Sequence, residues 1–145
     1  TGLSSLDYLL EERPTIPDNI GILLPKTYRL HPDICKFVSQ KVYEGRITAI
    51  DDNKKRIIKP CSNSKYLKPS GIQYIELDHW GNEQASFEEV EIIKSIILEL
   101  LDSKKEGYGE NTISEKDILI ISPYNHQTRI LQDTLGNKYQ IGSNC

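Results

Sequence analysis

The amino-acid sequence predicts an α/β fold with a mainly parallel sheet. Three apolar segments have the composition of strands, and each is followed by a segment with the apolar spacing of a helix. The third segment, DILIIS at 117–122, has an unbroken apolar core that is typical of a strand covered on both faces. Because alternating strands and helices imply crossover connections, we expect helices on both faces of one sheet.

Composition limits the domain organisation and the kinds of partner. The chain has 145 residues, which suits one domain, and it lacks methionine even at position 1, so we expect a piece of a longer protein. The 18 basic and 21 acidic residues leave a net charge of -3, so the overall field does not favour nucleic acid. Any nucleic-acid binding therefore requires a local patch or another domain.

The cysteines and histidines predict no metal site. Cys35, Cys61 and Cys145 are widely spaced, and neither His31 nor His126 has a second ligand at a metal-site spacing. Packing or capping is the expected role of both histidines. The sequence has no signal peptide and no apolar run near the ~20 residues of a membrane span. These features predict reduced thiols in a cytoplasmic (intracellular) protein without a membrane partner.

Local patterns predict the first elements of the chain. A helix is expected over 3–12, ending at Arg13 and Pro14, and a buried strand is expected over 22–24. Pro32 fits the first turn of a second helix, where the N–H that proline lacks would have no partner. The buried side of that helix is expected to carry Ile34, Phe37, Val38 and Val42.

Tyr28 and Arg29 stand between the first predicted strand and the second helix. In a parallel α/β sheet, ligands bind where the chain leaves the carboxyl end of a strand, so an aromatic ring and a cation there indicate a nucleotide. An arginine stays charged at any working pH and binds phosphate oxygens through two parallel hydrogen bonds. The alternative is that Tyr28 packs in the core and Arg29 pairs with an acidic side chain.

The segment 47–70 is polar, and we interpret it as an insertion or a long loop, either functional or mobile. Its basic side chains could contact a nucleic-acid backbone together with Tyr66. A solvated loop is the alternative, because Asp51 and Asp52 dilute the positive charge. The basic residues are Lys54, Lys55, Arg56, Lys59, Lys65 and Lys68.

Two further strand–helix pairs follow. A strand is expected over 71–79, and Ser86 with Glu89 predicts a capping box at the start of the third helix. After the third strand at 117–122, a fourth helix is expected to end at Gly136. The apolar stripe of the third helix contains Val90, Ile93, Ile97, Leu100 and Leu101, and that of the fourth contains Ile130, Leu131 and Leu135.

The segments TYRLHP at 27–32 and VYEGR at 42–46, with an apolar helix between them, resemble a signature of superfamily 1 helicases. The resemblance is to the branch that contains the nonsense-mediated-decay RNA helicase and the flap-processing nuclease-helicase. In that family the signature lies in the second of two RecA-like motor domains. The resemblance therefore implies a three-layer RecA-like (P-loop NTPase-like) sandwich, of which 1–145 would be a partial C-terminal domain.

The resemblance also implies roles for single residues. Tyr28 would stack on the adenine of ATP, and Arg29 would reach the γ-phosphate from the opposite side of the cleft as the catalytic arginine. The sequence SPYNHQ at 122–127 is similar to a family motif whose turn faces the nucleic-acid track or the cleft. This similarity makes Ser122, Tyr124 and Gln127 further candidates, although Tyr124 could instead pack and Gln127 cap backbone.

Glu91 is the last candidate that the resemblance suggests. The family has a serine, an asparagine and a glutamate at helical spacing, and this chain has Ser86, Glu88 and Glu91. The middle position departs from the pattern. Glu91 either orients groups near the cleft or is a surface carboxylate.

By this resemblance, the chain would be one half of an ATP-dependent motor. It contains no G-x-x-x-x-G-K-[ST] loop and no paired acidic motif for Mg²⁺, so it is expected to be inactive alone. A first RecA-like domain would hold ATP and Mg²⁺, and single-stranded nucleic acid, DNA rather than RNA, would be the partner. The alternative is a non-catalytic α/β binding or adaptor module with a helicase-like outline.

Overall fold

The computed structural model describes residues 2, 4–11, 13–78, 81, 83–106 and 112–143. The chain divides into two compact units, Thr1–Ile57 with Ser70–Ile72 and Ile58–Pro69 with Gln73–Cys145. Both units contain helices and short strands, so the predicted α/β class is confirmed. The expected single sheet is not found, because the described strands form three separate two-stranded sheets.

The first unit contains two helices, one parallel strand pair and one 3₁₀ helix. These elements are α1 (Ser5–Leu10), β1 (Lys26–Thr27), α2 (Pro32–Val42), β2 (Thr48–Ala49) and the 3₁₀ helix Asp51–Lys55. Lys26 pairs with Thr48 and Thr27 with Ala49 in parallel register. The parallel pair brings the carboxyl end of β1 next to the start of the 3₁₀ helix.

Helix α2 begins where the sequence predicts. Pro32 occupies its first turn, and the side chain of His31 caps it by accepting a hydrogen bond from the Asp33 N–H at 3.2 Å. Capping is therefore the role of His31. His31, directly before the helix, has an extended backbone, and the chain enters α2 at Pro32.

The buried side of α2 differs from the prediction. Cys35 and Ser39 are buried, whereas Phe37 and Val42 are exposed. A hydroxyl is accepted in this position because Ser39 Oγ receives a hydrogen bond from the Ile47 N–H at 3.0 Å. Contact with β2 therefore decides which side of the helix is covered.

An arginine fastens the chain before β1 to the end of α2. Arg46 donates to Thr15 Oγ1 at 2.9 Å, to the Ile16 carbonyl at 3.1 Å and to Asp18 at 2.7 Å. The Thr15 hydroxyl in turn donates to Glu44. Thr15 is buried, so this network replaces the water that its hydroxyl loses.

The apolar run 22–24 does not form the predicted buried strand. It has no regular secondary structure and no strand partner among the described residues, Ile22 is 88% exposed and Leu24 is also exposed. These two side chains are therefore not buried, as the prediction required. The paired strand lies further on, at Lys26–Thr27.

The polar segment 47–70 has more local structure than a long loop. It contains β2, the 3₁₀ helix Asp51–Lys55 and β3 (Ile57–Lys59). Three of its lysines form ion pairs with carboxylates of the described chain. These pairs join Lys54 to Asp51 at 2.7 Å, Lys55 to Asp52 at 3.0 Å and Lys59 to Glu106 at 2.8 Å.

The second unit contains the last two residues of β3 and the remaining elements. These are α3 (Phe87–Leu101), β4 (Lys104–Glu106), the 3₁₀ helix Glu115–Asp117, β5 (Leu119–Ser122), α4 (Asn125–Leu135) and β6 (Gln140–Ser143). Strand β3 pairs with β4, and β5 pairs with β6 in parallel. Strand β6 was not predicted, because Ile141 is its single large apolar residue.

The core of the second unit lies between α3, α4 and one face of β5. Its buried residues are Val90, Ile97, Ile113, Ile118, Ile120 and Leu131. In β5, Ile120 and Ser122 are buried, whereas Leu119 and Ile121 are exposed. The strand is therefore covered on one face, and the prediction of two covered faces is wrong.

The strand predicted over 71–79 is also absent. Residues 72–78 have no regular secondary structure and no strand partner among the described residues, and His79 lies outside the described residues. Tyr74 is exposed, and together with Ile75 and Leu77 it lines a groove of about 340 Å³ along α3. The alternating apolar residues of this segment pack along α3 and not against a neighbouring strand.

A buried amide joins the starts of α3 and α4. Ser86 caps α3 by accepting from the Glu89 N–H at 3.1 Å, but the second half of the predicted capping box differs. The Ser86 N–H donates to Gln127 Oε1 at 2.8 Å, and Gln127 Nε2 donates to the Ser86 carbonyl at 3.1 Å. The same nitrogen lies 3.3 Å from the Glu89 carboxylate.

None of the described helices combines the length and the hydrophobicity of a transmembrane span.

The fourth helix ends at Gly136, as predicted, with φ of 74°. Glycine suits this residue because positive φ strains other side chains.

We expect Gln127→Ala to lower the free energy of unfolding by about 1–3 kcal/mol, because it leaves buried backbone groups of Ser86 without partners. Chemical denaturation measures the change. Gln132→Ala, on the exposed side of the same helix, is the matched control and should have little effect. Equal effects of the two substitutions would contradict the role assigned to the Gln127 amide.

Asp117 should make stability depend on acid. Hydrogen bonds from the Ser114 N–H, the Lys105 ammonium and the Ser114 hydroxyl lower the pKa of this carboxyl to about 2 from 3.8. A carboxyl whose pKa is lower in the folded state stabilises the fold above 3.8 and loses that effect as the pH falls through about 2.

We therefore expect Asp117→Asn to unfold at a lower temperature than the unsubstituted protein at pH 7. The difference should close as the pH falls from 3.8 to about 2, in thermal melts across that range. Asp133→Asn, on an exposed side of α4, serves as the control. A difference that persists below pH 2 would show that the lowered pKa is not its cause.

Candidate functional site

Tyr28 and Arg29 lie in the turn between β1 and α2, in the first unit. Tyr28 is 69% exposed, and Arg29 is exposed as well. Within the described chain, neither side chain forms a hydrogen bond or an ion pair. The structure therefore shows neither a packed Tyr28 nor an acidic partner for Arg29.

The backbone of this turn is held firmly although its two side chains are open to solvent. Arg29 N–H donates to Thr27 Oγ1 at 3.3 Å, and the Arg29 carbonyl accepts from Arg56 Nη1 at 2.9 Å. Asn53 Nδ2 donates to the Leu30 carbonyl at 2.9 Å and lies 3.5 Å from the Thr27 carbonyl. The turn thus presents an aromatic ring and a guanidinium from a fixed backbone.

Chemically, the pair offers one face for stacking and one fixed positive charge. A guanidinium without an acidic partner can donate two parallel hydrogen bonds to phosphate oxygens. An exposed phenol ring offers its face to a planar ring. Two adjacent residues therefore offer a ring for stacking and a cation for a phosphate group.

A second group of candidates lies in the second unit. Ser122, Tyr124 and Gln127 line a cavity of about 270 Å³ together with Ser86 and Glu89. Ser122 is buried at the end of β5, and its Oγ accepts from the Tyr124 N–H at 3.3 Å. The structure therefore brings these three predicted residues together.

The side chains of Tyr124 and Gln127 differ in how accessible they are to a ligand. Tyr124 is exposed, whereas Gln127 is 4% exposed and its amide is occupied by the Ser86 backbone. The carboxylates of Glu83 and Glu89 line the same cavity, which disfavours a phosphate there. An exposed aromatic ring beside carboxylates is better suited to stacking on a nucleobase than to binding a phosphate group.

Glu91 does not line this cavity. Its carboxylate is exposed on α3 and lies 3.8 Å from Lys94. This placement corresponds to the alternative of a surface carboxylate.

Two residues beside the Tyr28 turn were missed by the sequence analysis. Asn53 was not singled out, and Arg56 was considered only as a nucleic-acid contact, although both donate to carbonyl groups of the turn. The chain places Asn53 23 residues after Leu30, so no local pattern signals the contact. An asparagine surrounded by charged residues was the only available hint.

Cysteine and histidine side chains do not gather at a metal-like site in the part of the chain that the structure describes. Cys35 is buried and Cys61 exposed, both as free thiols, while Cys145 lies outside the described residues. A hydrogen bond to Asp102 at 3.0 Å raises the pKa of the Cys61 thiol. His126 is exposed in the first turn of α4.

Comparison with known proteins identifies relatives for most of this chain. It is 29% identical over 124 residues to helicase sen1 of Schizosaccharomyces pombe (strain 972), a match that covers 81% of this chain and 7% of that protein. It is 29% identical over 117 residues to the 3'-5' exoribonuclease HELZ2 of Mus musculus, with 74% of this chain and 4% of that protein covered. No solved structure gives a significant match.

The chain thus spans less than a tenth of the length of either relative. A family model described as an AAA domain matches residues 3–144, which is nearly the whole chain. The chain therefore belongs to this AAA domain family of superfamily 1 helicases, as the motif at 27–32 indicated.

Proposed function

We propose that this chain is part of the second motor domain of an ATP-dependent nucleic-acid helicase. In this proposal a first RecA-like domain outside the chain holds ATP and Mg²⁺. Tyr28 stacks on the adenine, and Arg29 reaches the γ-phosphate across the cleft. The observation that carries the proposal is the exposure of these two neighbouring side chains on a fixed turn between a parallel strand and a helix.

The charge of Arg29 supports a role in phosphoryl transfer. Negative charge spreads over the oxygens of the transferred group in the transition state, and an arginine supplied from a second domain stabilises it. Arg29 has no acidic partner within the described chain, so its guanidinium can bind a phosphate without first leaving a salt bridge. A paired arginine would first have to lose that partner.

The proposal includes the fold of the complete domain. We propose a three-layer RecA-like sandwich, which is supported by the parallel pairing of β1 with β2 and of β5 with β6. The sequence lacks the glycine-rich loop that cradles phosphates, so the chain alone should not hydrolyse ATP.

We propose single-stranded nucleic acid as the track, with Tyr124 as a base contact and Gln127 and Ser122 holding the turn behind it. The exposure of Tyr124 and the engagement of Gln127 support this division of roles. DNA was the expected nucleic acid, but the name of one relative, an exoribonuclease, concerns RNA. Strand-displacement assays on DNA and RNA substrates with single-stranded tails distinguish the two.

We expect Arg29→Ala in the full-length protein to lower the turnover number for ATP by ~10³ to 10⁵ and to leave single-strand binding intact. The reason is that the transition state loses a positive charge that the ground state does not need. Steady-state ATPase and oligonucleotide-binding assays measure the two effects.

Arg129→Ala, which removes an exposed arginine of α4, is the matched control for that experiment. It should leave turnover near normal. If Arg29→Ala behaved like the control, the motor assignment would be wrong and a non-catalytic adaptor module would be the better reading.

We expect Tyr28→Ala to raise the KM for ATP roughly tenfold, because stacking of a base on an aromatic ring contributes about 1–3 kcal/mol. Tyr28→Phe keeps the ring and should keep KM near normal. Initial rates measured over a range of ATP concentrations give the KM of each variant. Equal KM values for the alanine and phenylalanine variants would exclude stacking by Tyr28.

A further inference from the structure

We propose that Asn53 is the positioning residue of the Tyr28–Arg29 turn, an inference that rests on the proposed function. Asn53 is 1% exposed and is one of the three largest fully buried side chains among the described residues, with Leu131 and Val90. Leucine and valine are expected there, whereas a buried amide is costly unless its polar atoms are bonded.

The burial of Asn53 is unusual for its surroundings. It lies in the 3₁₀ helix Asp51–Lys55, and its neighbours in that helix are exposed charged residues. Those neighbours are tied to one another by the two ion pairs already described, Lys54 to Asp51 and Lys55 to Asp52. The helix therefore turns a single uncharged polar side chain inward.

The donor group of that side chain reaches both ends of the candidate site. Asn53 Nδ2 donates to the Leu30 carbonyl at 2.9 Å and lies 3.5 Å from the Thr27 carbonyl. Leu30 directly follows Arg29, and Thr27 directly precedes Tyr28. One planar –NH₂ group, with its two hydrogens, thus sets the spacing between the residues on either side of the pair.

Neighbouring backbone contacts hold the 3₁₀ helix against the turn. The Ile50 N–H donates to the Thr27 carbonyl at 3.2 Å, and the Asn53 N–H donates to the Ile50 carbonyl at 3.2 Å. The position of the amide is therefore fixed at its own backbone as well as at its tip. Asn53 transmits that position to the backbone from which Tyr28 and Arg29 project.

This placement matters for the reaction that we propose. An arginine must meet the γ-phosphate at hydrogen-bond distance, and a misplacement of about 1 Å can cost ~10²-fold in rate. Because the Arg29 side chain has no partner in the described chain, its direction depends on its backbone. Asn53 acts on the rate through that backbone, without touching the nucleotide.

The test is Asn53→Asp in the full-length protein. Aspartate has the same shape but replaces the –NH₂ group with an oxygen, so the carboxylate cannot donate to the two carbonyls. We expect turnover of ATP to fall roughly 10- to 10²-fold. The same substitution in an Arg29→Ala protein should cause no further fall in turnover, because Asn53 affects turnover through Arg29, whereas an effect through Tyr28 would raise KM.

Ser39→Ala is the matched control. Ser39 is also a buried polar side chain of the first unit, and its hydroxyl accepts from the Ile47 N–H rather than from the turn. We expect Ser39→Ala to lower the melting temperature without changing turnover at a temperature where the protein is folded. A turnover loss shared by Ser39→Ala and Asn53→Asp would overturn the proposal, because general destabilisation would explain it.

The double substitution separates this inference from the proposed function. If Arg29→Ala leaves turnover unchanged, the proposed function itself fails. If Arg29→Ala lowers turnover as expected but Asn53→Asp does not, or lowers the residual turnover equally with and without Arg29, only the positioning role fails. Should Asn53→Asp not fold, Asn53→Ser, whose shorter side chain withdraws the donor from both carbonyls, replaces it; a loss of turnover equal to that of Ser39→Ala would then overturn the positioning role.

Discussion

The backbone of the turn after β1 is held by hydrogen bonds from the segment 50–56. The carbonyl groups of Thr27, Arg29 and Leu30 all accept from donors within 50–56. The bonds from the Asn53 amide to the Thr27 and Leu30 carbonyls are partly buried, and a backbone group withdrawn from water without a partner costs about 1–3 kcal/mol, so these bonds hold the turn in one conformation. Because the turn is held through its backbone, its two large side chains take no part and remain open to a ligand.

Each unit uses one buried amide in a similar way. Asn53 donates to carbonyl groups in the first unit, and Gln127 both accepts from and donates to the Ser86 backbone in the second. An amide carries donors and an acceptor on one uncharged plane. It can therefore satisfy backbone groups inside the protein without the larger cost of burying a charge.

The helices were predictable from the sequence because their signals are local: a proline in the first turn, a serine cap and a terminal glycine. The strands at 22–24 and 71–79 were predicted wrongly, because an apolar run or an alternating pattern indicates side chains to be covered and does not supply the neighbouring strand. Tyr28 and Arg29 could be proposed as site residues from the sequence because their motif is contiguous. Asn53 was missed because its partners lie 23 and 26 residues earlier in the chain.

The ion pairs of Lys54, Lys55 and Lys59 have a consequence for association with polyanions. Cations on a protein strengthen such binding mainly by displacing condensed counterions, which then gain entropy in bulk solution. A lysine already neutralised by a carboxylate of its own chain displaces few of them. If the complete protein binds nucleic acid as proposed, most of the ionic-strength dependence of that binding would arise from cations other than these three.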